Sequence, residues 1–94
     1  MNKYECLFII QNDASEEVKE AIIKKLQDAV TSRGGEVLDT NKWGTRRFAY
    51  LIDYKREGYY VLMNILAGVD VPAELERQVR ITPEAIRIMC LKKD

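Results

Sequence analysis

Between Tyr4 and Ile10 successive side chains alternate, with Tyr4, Cys6, Phe8 and Ile10 on one side and Glu5, Leu7 and Ile9 on the other. That period predicts a strand. Asn12 to Ser15 supply a turn and an N-cap, and Glu16 and Glu17 then put negative charge where a helix N-terminus favours it. Val18, Ala21, Ile22, Leu26, Ala29 and Val30 recur at three- and four-residue steps, while Lys19, Glu20, Lys24, Lys25 and Asp28 fill the other side. An amphipathic helix is predicted. Arg33 in its last turn and Gly34-Gly35 beyond it mark its end, because glycine accepts the left-handed conformation of a C-cap.

Residues 36–40 and 46–52 read as extended, and Gly44 between them marks a bend in one long strand in preference to a gap between two. Residues 53–58 form a polar turn, and Tyr59 to Leu66 complete a hairpin. Pro72, Ala73, Leu75, Glu76 and Val79 predict a short second helix stopped by Thr82-Pro83. Ala85 to Leu91 is the last strand, and Lys92-Lys93-Asp94 is left as a charged end. The order β-α-β-β-α-β, without linker or repeat, predicts one α+β domain over residues 1–94: a split βαβ sandwich with a four-stranded antiparallel sheet and two helices on one face.

The opposite sheet face is then open. Polar markers identify its side chains: Glu5 travels with Leu7 and Ile9, Asn64 with Tyr60 and Leu62, and Arg87 with Met89 and Leu91. Cys6, Phe8, Val61, Met63, Ile65, Ile86 and Ile88 are expected beneath the helices with Ile22, Leu26 and Leu75.

Composition narrows the function. Fifteen basic residues balance fifteen acidic ones, which argues against binding through bulk charge and requires any anionic partner to be held locally. Histidine is absent, removing the commonest neutral-pH acid/base and transition-metal ligand. Cys6 and Cys90 lack CxxC spacing and sit in apolar runs, as reduced core cysteines do, so neither a disulfide framework nor a metal site is expected. The N-terminus lacks the features of a signal peptide, and no window approaches the ~20 apolar residues of a membrane span, so the expected compartment is the cytoplasm. No Gly-rich phosphate loop or nucleophile with a histidine base is present, and Gln11-Asn12-Asp13 after the first strand is a poor anion cradle. We expect no catalysis, no cofactor and no small-molecule substrate.

The charge is unevenly spread. Residues 1–40 hold five basic and eight acidic residues, whereas residues 42–56 hold five basic and one acidic. In the second segment Lys42, Arg46, Arg47, Lys55 and Arg56 flank Trp43, Phe48, Tyr50 and Tyr54, a mixture that grips phosphates and stacks bases. A solvated hairpin tip that blunts a strand edge explains the same charges. Arg46 and Arg47 are consecutive on extended chain and reach opposite sides. From residue 77 to 94, Arg77, Arg80, Arg87, Lys92 and Lys93 outnumber Glu84 and Asp94 and make a second basic edge. The element order also fits single-strand RNA readers of the RRM type, but Glu57-Gly58-Tyr59-Tyr60-Val61-Leu62 matches their signature poorly. The open face is mainly aliphatic, with Tyr60 its one expected aromatic, and aliphatic side chains suit a protein partner better than a base.

Five blocks in order along the whole chain carry a resemblance. Lys3-Tyr4-Glu5 leading into Phe8-Ile9-Ile10, Gly34-Gly35-Glu36-Val37, Trp43-Gly44-Thr45-Arg46-Arg47-Phe48-Ala49-Tyr50, Glu57-Gly58-Tyr59-Tyr60-Val61 and Arg80-Ile81-Thr82 strongly resemble the bacterial small-subunit ribosomal protein six family. The resemblance implies a ferredoxin-like fold that binds small-subunit ribosomal RNA together with ribosomal protein eighteen in the platform of the small subunit. It carries Arg46-Arg47 over as the family's RNA-facing basic pair. The chain departs from some relatives in ending at Lys92-Lys93-Asp94 without a longer acidic tail. The expected RNA-binding residues are Lys42, Trp43, Arg46, Arg47, Arg87, Lys92 and Lys93, and the expected protein-binding residues are Leu7, Ile9, Tyr60, Leu62, Met89 and Leu91. A stand-alone single-stranded RNA-binding domain and a ligand-binding regulatory domain that self-associates through its sheet are the alternatives.

Overall fold

A computed structural model describes the backbone of residues 1–52 and 55–93, and the side chains of residues 1–47 and 57–93. The elements follow in the order β1 (Asn2–Gln11), α1 (Glu16–Ser32), β2 (Glu36–Ile52), β3 (Lys55–Ala67), α2 (Val71–Arg80) and β4 (Ala85–Lys93). The sheet runs β2-β3-β1-β4, and every neighbouring pair is antiparallel. This is the ferredoxin-like βαββαβ arrangement. β1 and β3 occupy the centre because their helix-facing positions are uniformly apolar: Tyr4, Cys6, Phe8 and Ile10 pair with Ile65, Met63, Val61 and Tyr59.

Helix α1 starts where Ser15 accepts a hydrogen bond from the Val18 amide at 3.2 Å, and it ends at Gly34, whose φ of +80° is the left-handed conformation that glycine takes without strain. Its buried stripe of Ile22, Ile23, Leu26 and Val30 meets the sheet, and Val71, Leu75 and Val79 of α2 complete the same core. Burying each such side chain contributes roughly 1.5–3 kcal/mol before the entropy of ordering it. Between the helices, Arg33 reaches Asp70 at 3.2 Å and Glu74 at 3.3 Å. Glu74 also accepts from Arg77 at 2.9 Å and from Gln78 at 2.7 Å, so one carboxylate ties the end of α1 to the first turn of α2.

Two boundaries and one core position differ from the sequence reading. The polar turn expected over residues 53–58 gives way to strand from Lys55 onward, because the hairpin ladder continues to an Ile52–Lys55 pair; Asp53 and Tyr54 lie outside the described residues. β4 extends to Lys93, since Lys92 pairs with Tyr4 and Lys93 with Lys3. Ile86 is also displaced from its expected place in the core. A register shift between Ile9 and Ile10 opposes Ile10 to Ala85, so Ala85 and Ile88 pack on the core while Ile86 stays partly exposed outside it.

Candidate functional site

On the open side of the sheet the register builds cross-strand rows. Gly44, Tyr60, Ile9 and Arg87 form one, Asn41, Leu62, Leu7 and Met89 the next, and Asp39, Asn64, Glu5 and Leu91 the third. Five of the six residues expected to bind protein are accessible there: Leu7, Tyr60 and Leu62 are half-buried, and Met89 and Leu91 are 52% and 54% exposed. Ile9 is only 6% exposed although no helix covers it, being flanked by Tyr60 and Arg87 in adjacent strands. The third row turns polar. Asn64 donates to Asp39 at 2.8 Å, and Lys93 lies 3.7 Å from Glu5, which bounds the apolar patch at that end.

Trp43 joins this face in step with Asp39 and Asn41, four and two residues before it on β2. Lys42 pairs with Val61 and Gly44 with Tyr60, so Trp43 is the extra residue of a bulge, and Gly44 takes a φ of +86° to make it. Trp43 lies on the open side, where its ring is parallel to Tyr60 with centroids 6.4 Å apart and planes inclined by 6°. The face therefore carries two aromatic rings where sequence reasoning found one. The available signal was the alternation of Asp39, Asn41 and Trp43 along β2, whose two polar members mark the open face as Glu5, Asn64 and Arg87 do on the other strands.

The expected RNA-binding residues fall into separate groups. Lys42 points to the helix side and donates to Glu20 of α1, and that carboxylate holds the Lys42 ammonium above its ordinary pKa. Arg46 and Arg47 are exposed near the hairpin end of β2, opposite Gly58 and Glu57, and the strand pleat sends them to opposite sides. Arg87 is exposed on the open face at the far edge of the row that holds Tyr60. Lys92 shares the helix side with Tyr4, whereas Lys93 shares the open side with Lys3. Trp43, Arg46 and Arg87 thus border the apolar patch from two edges, and Lys42, Arg47 and Lys92 lie round the sheet edges from them.

A polar link missed from sequence steadies this end of the sheet. The Thr45 hydroxyl donates to Asn12, and Asn12 donates to Glu57 at 3.4 Å, tying the turn after β1 to both strands of the hairpin. Among the described residues no group of three or more His, Cys, Asp or Glu side chains is placed to hold a metal, and no helix is long and apolar enough to cross a membrane.

Comparison with known proteins gives a consistent result. The profile of the family described as "Ribosomal protein S6" matches residues 3–92. Small ribosomal subunit protein bS6 of Caldanaerobacter subterraneus subsp. tengcongensis is 39% identical over 94 residues, spanning 100% of this chain and 99% of that protein. The bS6 protein of an Exiguobacterium species is 43% identical over the same 94 residues, with 100% and 99% covered. The crystal structure of 30S ribosomal protein S6 from Thermotoga maritima superposes with a TM-score of 0.91 at 30% identity, covering 98% of this chain and 87% of that one.

Proposed function

Because this chain belongs to the ribosomal protein S6 family, we propose that it binds small-subunit ribosomal RNA jointly with ribosomal protein eighteen, each through a different part of the same sheet. Its place in the family makes it a structural, non-enzymatic component of the small ribosomal subunit, and hence cytoplasmic. The protein partner docks on Leu7, Tyr60, Leu62, Met89 and Leu91, with Ile9 beneath them. RNA phosphates engage Arg46 and Arg47 at the hairpin and Arg87, Lys92 and Lys93 on β4. Lys42 joins them by exchanging its Glu20 carboxylate for a phosphate, and Trp43 offers its outer ring face to an unpaired base. All 94 residues act as one domain in this reading.

The observation that carries the proposal is the adjacency of a mainly aliphatic patch, whose two aromatic rings stack on each other at one edge, to an exposed arginine pair. A protein on the patch and RNA along its rim then touch each other as well as this chain, which makes their binding cooperative. The test is a titration of purified protein, ribosomal protein eighteen and a small-subunit RNA fragment, singly and together. The reading requires affinity for RNA to rise when both proteins are present; RNA affinity indifferent to the second protein would favour the stand-alone RNA reader.

A further inference from the structure

Cys6 and Cys90 face each other directly across the β1–β4 pair. Directly opposed residues of an antiparallel pair have Cα atoms about 4.5–5.5 Å apart, inside the roughly 4.4–6.8 Å that a disulfide spans. Both side chains project to the helix side, so their Cβ vectors point the same way. The two are unequal in access: Cys6 is fully buried, while Cys90 is half-buried on an edge strand. The neighbouring Cys90 thiol, followed by burial, keeps Cys6 protonated well above the ordinary thiol range. Both thiols are free.

We propose that Cys6 and Cys90 are a reversible oxidation site for low-molecular-weight disulfides of the glutathione class, one that clips β4 to β1. The exchange begins at the reachable sulfur. Cys90, deprotonated to solvent, attacks one sulfur of the small disulfide, forming a mixed disulfide at Cys90 and expelling one small thiolate. Cys6 then attacks the Cys90 sulfur and expels the second small thiolate, which leaves with the Cys6 proton. Two protein thiols are oxidised and one small disulfide is reduced to two thiols, so atoms and electrons balance.

Closure asks for a small movement. Opposed Cβ atoms sit about 4.5–5.5 Å apart and a disulfide wants roughly 3.5–4.5 Å, so β4 must approach by about an ångström. An edge strand with one hydrogen-bonded neighbour is the part of the sheet freest to give. The resulting bond is strained, and strained bonds are the readily reduced kind found in redox-responsive proteins of reducing compartments. Cys90 lies between Met89 and Leu91, so the clip acts on the strand that presents two apolar side chains of the open face.

The full chain, incubated with excess oxidised glutathione and quenched with N-ethylmaleimide, tests this by intact-mass and peptide analysis. The expected product has lost two hydrogens, carries no maleimide, yields a Cys6–Cys90 peptide pair and regains both thiols with dithiothreitol. Cys6→Ala should instead stop at a stable glutathione adduct on Cys90. In the unsubstituted protein, persistence of both thiols, accumulation of that adduct with Cys6 still free, or a disulfide between two chains would each overturn the proposal. The outcome does not depend on whether the RNA and protein surfaces are assigned correctly.

Discussion

Trp43 and Tyr60 lie ring over ring, 6.4 Å between centroids and nearly parallel, on the side of the sheet that no helix covers. Offset stacking of this kind contributes about 0.5–1.5 kcal/mol beyond the buried area. It joins a residue assigned to RNA with one assigned to protein, so the two proposed surfaces meet at a physical contact. A partner that covers Tyr60 also fixes one face of Trp43.

The geometry depends on Gly44. A Cβ there meets no atom within 4 Å, so the cost of Gly44→Ala comes from the backbone alone, held at a φ of +86°. Roughly 1–2 kcal/mol of destabilisation follows for an L side chain in the left-handed region. Trp43 is the single tryptophan, and its emission reports the bulge directly. Gly44→Ala should lower the urea midpoint and shift Trp43 emission together; a midpoint change with unaltered emission would detach the stack from the bulge.

Arg46 and Arg47 are exposed near the hairpin end of β2. Arg46→Ala and Arg47→Ala should each weaken RNA binding and reduce the slope of log affinity against log salt by about 1. Thermal stability should barely move. Binding isotherms at several salt concentrations check this, and unchanged affinity and slope in both variants would remove the pair from the interface.

Leu62 sits between Leu7 and Asn41 in the central row of the open face. Leu62→Asp should preserve the fold and abolish joint assembly with ribosomal protein eighteen, because docking would strand an unpaired carboxylate away from water. RNA binding by the protein alone should fall far less. Thermal melts, pull-down and RNA titration on this variant separate a structural from an interfacial role. Loss of the fold would mean that Leu62 belongs to the core.

Glu74 predicts how stability responds to acid. Hydrogen bonds from Arg77 and then Gln78, helped by the nearby Arg33 charge, hold its carboxyl at about 2 against an ordinary 4.5. A depressed folded-state value stabilises fully above the unfolded value, and the contribution is lost as pH falls from about 4.5 through about 2. Glu74→Gln should therefore melt lower than the parent protein at neutral pH, and the gap should close by about pH 2. Melting curves between neutrality and acid check this; a constant gap would assign the loss to packing.

Strand and helix periods, the Ser15 cap, the Gly34 stop and the split of side chains between two sheet faces were legible in the sequence, because each is set within a few residues. The whole-chain resemblance added the family, which local patterns do not carry. Tertiary structure decided what depends on register. The bulge that sets Gly44 rather than Trp43 opposite Tyr60, the slip that exchanges Ile86 for Ala85 beside Ile10 and the opposition of Cys6 to Cys90 all arise from how separate strands align. Ile9 and Lys42 show the same limit. One is covered by neighbours in adjoining strands, and the other is taken up by Glu20, 22 residues earlier in the chain. Alternation places a side chain on a face, but pairing with distant chain selects its neighbours, and those neighbours determine whether it is exposed, stacked or already engaged.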